Sequence, residues 1–451
     1  MVSTTDALPP AGAVDELTGL LGRNAFIARL DAALDTFRAG ASGPPTLLLL
    51  DLDRFKQIND SLGHAAGDVV LRGAASRIRA RLRRGDLAAR LGGDEFACLL
   101  LPPVEPEAAT TIADRLVDLM SRPFLHEGQV AQIGLSIGIG VAEPALSAED
   151  MLKRADLALY AAKHRGRGRY ATFEPALQEA AQARHTLARD LRAALALDQF
   201  VLVYQPLLDV GSGRLTGAET LLRWERPGLG RVGPPHFLSM AEELGLMPMI
   251  GAWVLRQACA ECATWPDALS VSVNVAPSQF ADGALPGLVA AALHNSKLQP
   301  GRLELEVTEE TLMHRGLAGP IAQFKAIRAL GVRIAMDDFG TGYSSLAQLR
   351  AFPFDRVKLD RSFADDLPMM RVALGVGRAL GLSTTAEGIE NAEQLDAARR
   401  EGCQTAQGFL IGKPLELDHW RARITATQKE RDCDAEHVSL GLHQPQPGRV
   451  G

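Results

Sequence analysis

The sequence predicts an α/β and α+β protein, in which a mixed α/β domain is followed by a TIM-type (β/α) barrel. The chain has 451 residues, 47% of them hydrophobic, which is enough for two or three domains with sizeable cores. Strand-like and helix-like segments mix irregularly up to residue 175, whereas eight strand-like segments beyond residue 198 mostly alternate with amphipathic helical windows. Such alternation predicts parallel strands joined by crossover helices, and about 240 residues of it predict a barrel.

In the first part, hydrophobic periodicity and turn residues predict each element in turn. Gly92-Gly93 is a good two-residue hairpin connection because glycine permits positive φ. The predicted helices cover residues 23–37, 67–82, 106–121 and a segment from 147, and the predicted strands cover a segment from 46, then 87–91, 96–101 and a segment ending at 142.

Composition shifts predict the domain boundaries. An Ala-rich, charged stretch over 174–198 is typical of a connecting helix. We therefore expect a flexible N-terminal tail at 1–13, a first domain at 14–175, a helical linker at 176–185, a second domain at 186–424 and a disordered C-terminal tail at 425–451. About 14 residues precede the first motif, so no sensory domain is expected upstream.

Charge and cysteine usage exclude some functions. A formal net charge of −6 argues against binding to a nucleic-acid polymer, and no apolar run predicts membrane insertion. Five scattered cysteines fit a reducing, cytoplasmic environment. Cys259 and Cys262 form a C-x-x-C, but they lie in an apolar-periodic segment and are predicted to be buried in a helix rather than to bind zinc.

Polar residues follow the strand-like segments of the second part. In a parallel barrel these strand ends meet on one face, where active sites lie. One acid at a strand end is more often a helix cap or a rim residue, but seven ends with such chemistry are harder to explain in that way. Clustered carboxylates repel one another unless cations neutralise them, and all-oxygen ligands favour Mg²⁺ or Mn²⁺. The set comprises Glu219, Asn274, Glu306, Asp337 with Asp338, Lys358, Glu387 and Gln407.

An adjacent acidic pair, Asp337-Asp338, could bridge two metal ions for in-line phosphoester hydrolysis, with Lys358 orienting water or offsetting charge. In the first part, Asp51 and Asp94 could share a divalent cation if their strands are neighbours. Asp53 and Glu95 alternate with them and have a supporting or structural role. An acidic hairpin with a solvated turn is the alternative interpretation of that region.

The second part resembles the EAL family of cyclic-di-GMP phosphodiesterases over residues 186–424. The matching segments are YQP, ETLLRW, NVAPSQF, EVTE, DDFGTGYSSL, VKLDRSF, AEGIE and QGFLIGKP. The resemblance implies that metal is bound by Glu219, Asn274, Glu306, Asp337 and Asp338, that Lys358, Glu387 and Asp338 act in catalysis, that Gln205, Arg223 and Gln407 bind substrate, and that Glu309 and Glu390 stabilise the DDFGTGYSSL loop.

The first part resembles the GGDEF family of diguanylate cyclases, whose fold is nucleotidyl-cyclase-like, over residues 14–175. The matches are DELTGL, DLDRFKQIND, GHAAGD, GGDEF, SIGIG and ADLALYAAKHRGRGR. The resemblance implies Mg²⁺ or Mn²⁺ here too, one GTP in each domain and a homodimer. The implied residues are Asp51, Asp94 and the Leu52 carbonyl for metal, Asp94 and Glu95 for catalysis, Asn59 and Asp68 for guanine, and Lys163 and Arg167 for the triphosphate.

Three departures and one further motif qualify these resemblances. The signature tripeptide is Glu219-Thr220-Leu221, and Thr220 should point away from the metals because strand neighbours face opposite sides. The chain is shorter than such proteins between Phe363 and Arg378, near their dimer surface, and LLGRNAF replaces a Pro-Asn-Arg segment. Arg83 and Asp86 match the family's product-inhibition site, with an ordinary basic helix end as the alternative.

Together the resemblances predict a bifunctional enzyme that makes cyclic di-GMP from two GTP and hydrolyses it to pGpG. The alternatives are a phosphodiesterase whose first domain binds GTP as a regulator, a protein active only as a cyclase, and a non-catalytic cyclic-di-GMP receptor. Intact residues at the metal positions disfavour the receptor.

Overall fold

The computed structural model describes residues 13–104, 106–312, 318–340 and 352–441. The chain divides into two compact units between His185 and Thr186, and each is described by itself. The predicted tail at 1–13 lies almost entirely outside the described residues, as do the segment Thr341–Leu346 of the DDFGTGYSSL motif and the last ten residues of the chain.

The first unit has a six-stranded sheet in the order β1-β3-β4-β2-β7-β8, with helices on both faces, and a separate two-stranded sheet of β5 and β6. Its central strand β2 has an unbroken apolar run, Leu47–Leu50, because both faces of the sheet are buried. The strands are β1 Leu21–Gly22, β2 Thr46–Asp53, β3 Leu87–Gly92, β4 Glu95–Leu100, β5 Phe124–His126, β6 Gln129–Ala131, β7 Gly134–Val141 and β8 Tyr170–Thr172. The helices are α1 Arg23–Arg38, α2 Phe55–Leu62, α3 His64–Arg79, α4 Pro106–Ser121 and α5 Ala148–His164.

The hairpin between β3 and β4 differs from the prediction by one residue. Gly92 pairs with Glu95, so the two-residue loop is Gly93-Asp94 and not Gly92-Gly93. Both glycines have positive φ, 145° and 52°, because the register shifts between Arg90 and Gly92. The shift places Asp94 at the tip of the turn.

The second unit is a closed eight-stranded barrel with one additional short strand, β11, at its rim. Its apolar core lies mainly between the strands and the surrounding helices. The strands are β9 Phe200–Asp209, β10 Leu215–Arg226, β11 Gly230–Val232, β12 Ser270–Asn274, β13 Leu303–Thr308, β14 Arg333–Phe339, β15 Arg356–Leu359, β16 Ser383–Ala386 and β17 Thr405–Ala406. The helices beside them are α7 Leu238–Glu243, α8 Met247–Cys262, α9 Leu285–Ser296, α10 Ala318–Ala329, α11 Leu367–Ala379 and α12 Ala392–Arg400.

One strand departs from the expected parallel barrel. β9 is antiparallel to both β10 and β17, whereas the strands from β10 through β12 to β17 run parallel. Only residues 210–214 connect β9 to β10. So short a connection joins antiparallel strands, since a parallel pair needs a crossover of a dozen residues or more.

Two long helices lie at the ends of the second unit's sequence. α6, Pro175–Ala194, covers the predicted linker and contains the boundary between the units. α13, Leu417–Gly441, continues through residues 425–441, so the expectation of disorder there is wrong. That stretch lacks glycine and proline until residue 441, and its charged and alanine residues are good helix formers.

The C-x-x-C prediction agrees with the structure. Cys259 and Cys262 are buried in α8, and burial raises the pKa of each thiol to about 12. Among the described residues, no helix combines the length and apolarity needed to cross a membrane.

Candidate active site

The ammonium of Lys358 lies at the centre of the predicted polar face of the barrel. Its Nζ is 2.6 Å from Glu306 Oε2, 2.6 Å from Glu387 Oε1, 3.1 Å from Asp337 Oδ1 and 3.5 Å from Glu219 Oε2. Lys358 is 1% exposed. The four carboxylates come from four different strands: Glu306, Asp337 and Glu387 lie at or near strand ends, whereas Glu219 lies within β10.

Glu219 is held by two amides as well as by the lysine. Asn274 Nδ2 donates to Glu219 Oε1 at 2.6 Å, and Gln407 Nε2 donates to Glu219 Oε2 at 2.6 Å. The hydroxyl of Thr220 donates to the carbonyl oxygen of Ser272, so this departure from the signature tripeptide is satisfied by the backbone. All the predicted strand-end residues on this side of the barrel therefore lie together.

Asp338 reaches the site through a β-bulge. The pairing of β14 with β15 shifts between Met336 and Phe339, and Asp338 has a positive φ of 54°. As a result, oxygens of Asp337, Asp338 and Glu387 all lie within 4.8 Å of one another.

Burial and neighbouring charges raise the pKa values of three of these groups. Burial raises the pKa of Glu306 well above its usual range, with Glu219 and Asp337 adding to the shift. Burial also raises the pKa of Glu387 to about 8. Burial acts to lower the pKa of Lys358, but the surrounding carboxylates outweigh it and raise that pKa. One ammonium thus compensates an excess of acidic groups only in part.

These residues fit a divalent cation. Glu306 Oε1 is buried and has no hydrogen-bond partner among the described residues, and a buried carboxylate oxygen without a partner is costly. The three carboxylates of Asp337, Asp338 and Glu387 offer oxygen atoms close enough to share one ion. Hard oxygen ligands are those that Mg²⁺ and Mn²⁺ prefer.

A cavity of about 320 Å³ opens beside these carboxylates. Gln205, Glu390 and Gln407 line it, as expected for residues near a substrate. Sequence reasoning missed Asp360 and Arg361, which also line it. Asp360 directly follows the VKL strand, and the same strand-end rule could have found it.

The remaining predicted residues of this domain lie around the cavity or behind it. Gln205 Nε2 donates to the Gly412 carbonyl at 3.4 Å, and burial lowers the pKa of half-buried Arg223. Glu309 is 5% exposed. Glu309 and Glu390 were expected to stabilise the DDFGTGYSSL loop. Residues 341–346 of that motif lie outside the described residues.

In the first unit, Asp51 and Asp94 lie at adjacent strand ends. Asp51 pairs with Glu95 across β2 and β4, and the Leu52 N–H donates to the Asp94 carbonyl at 3.4 Å. Burial raises the pKa of Asp51, and the charge of Asp94 adds to it. Lys163 opposes this shift, because its Nζ lies 2.7 Å from Asp51 Oδ2. The predicted triphosphate ligand thus contacts the predicted metal ligand.

Asp53 has a structural role in this unit. It is 8% exposed and accepts hydrogen bonds from Ser136 Oγ at 2.7 Å and from the Gly168 N–H at 3.0 Å. The second bond holds the backbone beside Arg167, which has a positive φ of 61° and an exposed side chain. Asp53 therefore anchors the basic segment against the sheet.

The predicted guanine-binding pair lies at the junction of α2 and α3. Asn59 is partly buried on α2, and its Oδ1 lies against Gly67, where a Cβ would come within 2.0 Å of that oxygen. Asp68 is half exposed, with Arg72 at 3.9 Å. A glycine is needed here because α3 passes so close to the carboxamide.

Arg83 and Asp86 contact each other and the backbone. Asp86 Oδ1 accepts from Arg83 Nε at 3.3 Å and from the Leu101 N–H at 3.1 Å, and the Asp86 side chain is 1% exposed. Arg83 also donates to the carbonyls of Leu101 and Pro103. These contacts give the pair a structural role, and product binding by it stays a prediction.

The fold and the site define a barrel domain with a buried carboxylate cluster suited to a divalent cation, preceded by a mixed α/β domain. Residues 188–414 match the EAL domain, and residues 12–169 match the diguanylate cyclase GGDEF domain. The chain belongs to the family of proteins in which a GGDEF domain is followed by an EAL domain.

Known relatives extend over both domains. An uncharacterized signaling protein of Caulobacter vibrioides is 41% identical over 90% of this chain and 51% of its own length. The bifunctional diguanylate cyclase/cyclic di-GMP phosphodiesterase MucR of Pseudomonas aeruginosa is 40% identical over 84% of this chain and 57% of its length. This chain thus spans about half the length of these relatives. A solved structure of the PaMucR phosphodiesterase in complex with c-di-GMP is 40% identical, covers 52% of this chain and 99% of its own, and has a TM-score of 0.50.

Proposed function

We propose that the second unit hydrolyses cyclic di-GMP to pGpG and that the first unit condenses two GTP to cyclic di-GMP. The observation that carries the hydrolase half is the group of four carboxylates around buried Lys358, beside an open cavity. The MucR relatives, which are named for both activities and for a complex with the dinucleotide, support the choice of substrate.

In this proposal Glu219, Asn274, Glu306, Asp337 and Asp338 hold Mg²⁺ or Mn²⁺. A bound divalent cation supplies charge stabilisation at the phosphate and lowers the pKa of water. Asn274 and Gln407 hold Glu219 in place by donating to both of its oxygens. The Lys358 ammonium keeps the carboxylates together despite their mutual repulsion.

Glu387 is suited to accept the proton of the attacking water. Its carboxyl lines the cavity beside Asp338, and burial raises its pKa in the metal-free protein, which makes the carboxylate a stronger base. In the hydrolysis the water oxygen forms a bond to phosphorus, the bond from phosphorus to a ribose O3′ breaks, and O3′ ends protonated. Gln205, Arg223 and Gln407 would contact the dinucleotide, and Glu309 and Glu390 would hold the neighbouring loop.

In the first unit, Asp51, Asp94 and the Leu52 carbonyl would hold Mg²⁺ or Mn²⁺, with Glu95 supporting the turn. Asn59 and Asp68 would bind guanine, and Lys163 would exchange its contact with Asp51 for the triphosphate, next to Arg167. Because each first unit would hold one GTP, joining two of them requires a homodimer. A cytoplasmic location and product inhibition at Arg83 and Asp86 belong to the same proposal.

The test is to incubate purified protein with Mg²⁺ or Mn²⁺ and either GTP or cyclic di-GMP, and to separate the nucleotides. Glu219→Ala should abolish pGpG formation and spare any cyclase activity, and Asp94→Ala should do the reverse. Glu393→Ala, which removes an exposed carboxylate from α12, is the control and should change neither activity.

Each outcome has a definite meaning. Hydrolysis that persists in Glu219→Ala would show that the metal site is assigned wrongly. Hydrolysis without GTP condensation in the wild-type protein would support the phosphodiesterase whose first unit only binds GTP. If the wild-type protein turns over neither substrate but binds cyclic di-GMP, the receptor alternative replaces the enzyme.

A further inference from the structure

A second polar layer lies inside the barrel, directly below the active-site residues. Side chains two positions apart on a strand face the same side. Five active-site residues each have a polar residue two positions earlier, namely Ser272 before Asn274, Glu304 before Glu306, Arg356 before Lys358, Thr385 before Glu387 and Thr405 before Gln407. Bulky branched apolar side chains usually fill such a layer in barrels.

The polar layer is connected through a buried ion pair. Arg356 Nε donates to Glu304 Oε2 at 3.1 Å, and the Glu304 side chain is 4% exposed. The Ser272 hydroxyl donates to Glu304 Oε1 at 3.4 Å, so both oxygens of this carboxylate have a partner. A buried charge pair with its hydrogen bonds satisfied is rigid, because any displacement exposes an uncompensated charge.

Arg356 extends the layer to the two remaining strands. Its NH1 donates to Thr385 Oγ1 at 3.0 Å and to Thr405 Oγ1 at 2.6 Å, and the two hydroxyls lie 2.5 Å apart. Thr405 Oγ1 also lies 3.2 Å from the carbonyl of Thr384. One guanidinium thus joins β13, β15, β16 and β17, which carry Glu306, Lys358, Glu387 and Gln407.

We propose that Arg356 and Glu304 are positioning residues: their ion pair fixes the strand ends so that the Lys358 cluster stays ready to bind metal. The active-site layer needs such support because its carboxylates repel one another, and Lys358 is the one cation within 4.0 Å of all four among the described residues. The metal-binding and hydrolytic consequences rest on the function proposed above. The guanidinium is suited to the role because its planar fork fixes several acceptors at once, which an ammonium does not.

The test replaces the pair in two steps. Arg356→Met keeps a long side chain but leaves Glu304 buried without its nearest cation. Glu304→Leu together with Arg356→Met removes both charges of the pair and leaves Arg333, whose Nε lies 3.8 Å from Glu304 Oε2, with its partly exposed side chain. Such apolar replacement of a buried pair commonly restores stability. Arg371→Met is the matched control, since Arg371 also makes an ion pair with a glutamate, Glu401, but is exposed.

Three quantities are measured on the full chain: the melting temperature without metal, Mn²⁺ affinity by calorimetry, and kcat and KM for cyclic di-GMP. If the pair positions the site, Arg356→Met lowers Mn²⁺ affinity and kcat by about 10-fold or more with little change in KM. The double variant regains the melting temperature but neither Mn²⁺ affinity nor kcat. Arg371→Met changes none of them.

The proposal is overturned if the double variant regains Mn²⁺ affinity and kcat together with its melting temperature, because the pair would then contribute only stability. It is also overturned if Arg356→Met lowers the melting temperature alone. Failure of the proposed function can be distinguished from failure of this proposal. If the wild-type protein hydrolyses no cyclic di-GMP but binds Mn²⁺, the positioning role is still tested by comparing the Mn²⁺ affinities of the variants. A wild-type protein that binds no Mn²⁺ overturns both.

Discussion

Asp337 and Asp338 are consecutive on β14, yet oxygens of both lie within 4.8 Å of each other and of an oxygen of Glu387. Neighbouring residues of a regular strand face opposite sides. Here the bulge opposite Lys358 and the left-handed backbone of Asp338 turn the second carboxylate toward the first. The bulge thus allows one strand to supply two adjacent ligands.

The backbone at Asp338 predicts that two substitutions differ in stability although both abolish activity. Asp338→Gly should be about 1 kcal/mol more stable than Asp338→Ala, because only glycine adopts positive φ without steric cost. Both variants should lose hydrolysis. Chemical denaturation and nucleotide separation measure the two effects. Asp365, where φ is −101°, is the control: Asp365→Gly should not be more stable than Asp365→Ala. If the glycine variant is the more stable one at both positions, the strain argument is contradicted.

Removal of the central ammonium should destabilise the metal-free protein strongly. Lys358→Met leaves four carboxylates without their shared cation, and loss of one partner of a buried pair costs about 3–5 kcal/mol. Saturating Mg²⁺ should recover part of the loss, since the cation offsets the same charges. Thermal unfolding with and without metal measures this. The exposed Lys325→Met serves as control, and a Lys358→Met protein as stable as that control would exclude the charge argument.

Glu387 gives the metal-free protein a specific pH dependence. Burial raises the pKa of its carboxyl from 4.5 to about 8, so between these values the folded protein holds a proton that the unfolded chain has lost. Stability from this group therefore falls as pH rises through that window. Glu387→Gln should flatten the decline in melting temperature between about pH 5 and pH 8.

The control for this pH dependence is Glu401→Gln. Its carboxylate is hydrogen-bonded to Arg371, which lowers its pKa, so this variant should keep the wild-type decline. Saturating Mg²⁺ should also reduce the decline in the wild-type protein. If the melting temperature of Glu387→Gln declines with pH as steeply as that of the wild-type protein, the decline does not come from the Glu387 carboxyl.

Gly67 predicts a separate effect on the first unit. Although alanine is the better helix former, Gly67→Ala should weaken GTP binding, because its Cβ would displace the Asn59 carboxamide by contact at 2.0 Å. Hydrolysis of cyclic di-GMP should not change. Calorimetry with GTP measures the loss. Gly375→Ala is the matched control: it also lies in a helix, its Cβ meets nothing within 4 Å, and it should bind GTP normally.

Much of the site could be predicted because strand ends obey a simple geometric rule. Glu219, Glu306 and Lys358 lie within neighbouring strands of the barrel, and the parallel pairing brings their side chains together. The second polar layer inside the barrel could also have been predicted from the sequence, since Glu304 and Arg356 stand two positions before Glu306 and Lys358. A polar residue at such a position has no defined partner until the register of neighbouring strands is known.

The sequence by itself determined the longer strands and helices, the two groups of acidic residues and the buried state of Cys259 and Cys262, because these depend on local periodicity and residue type. It did not predict α2 or the short strands β5, β6 and β8. Tertiary structure decided the antiparallel direction of β9, the Gly93-Asp94 turn, the bulge at Asp338 and the pairing of Lys163 with Asp51. It also extended α13 through residues predicted to be disordered. The physical reason is that register, bulges and ion pairs depend on distances between residues far apart in the chain, which composition and spacing do not contain.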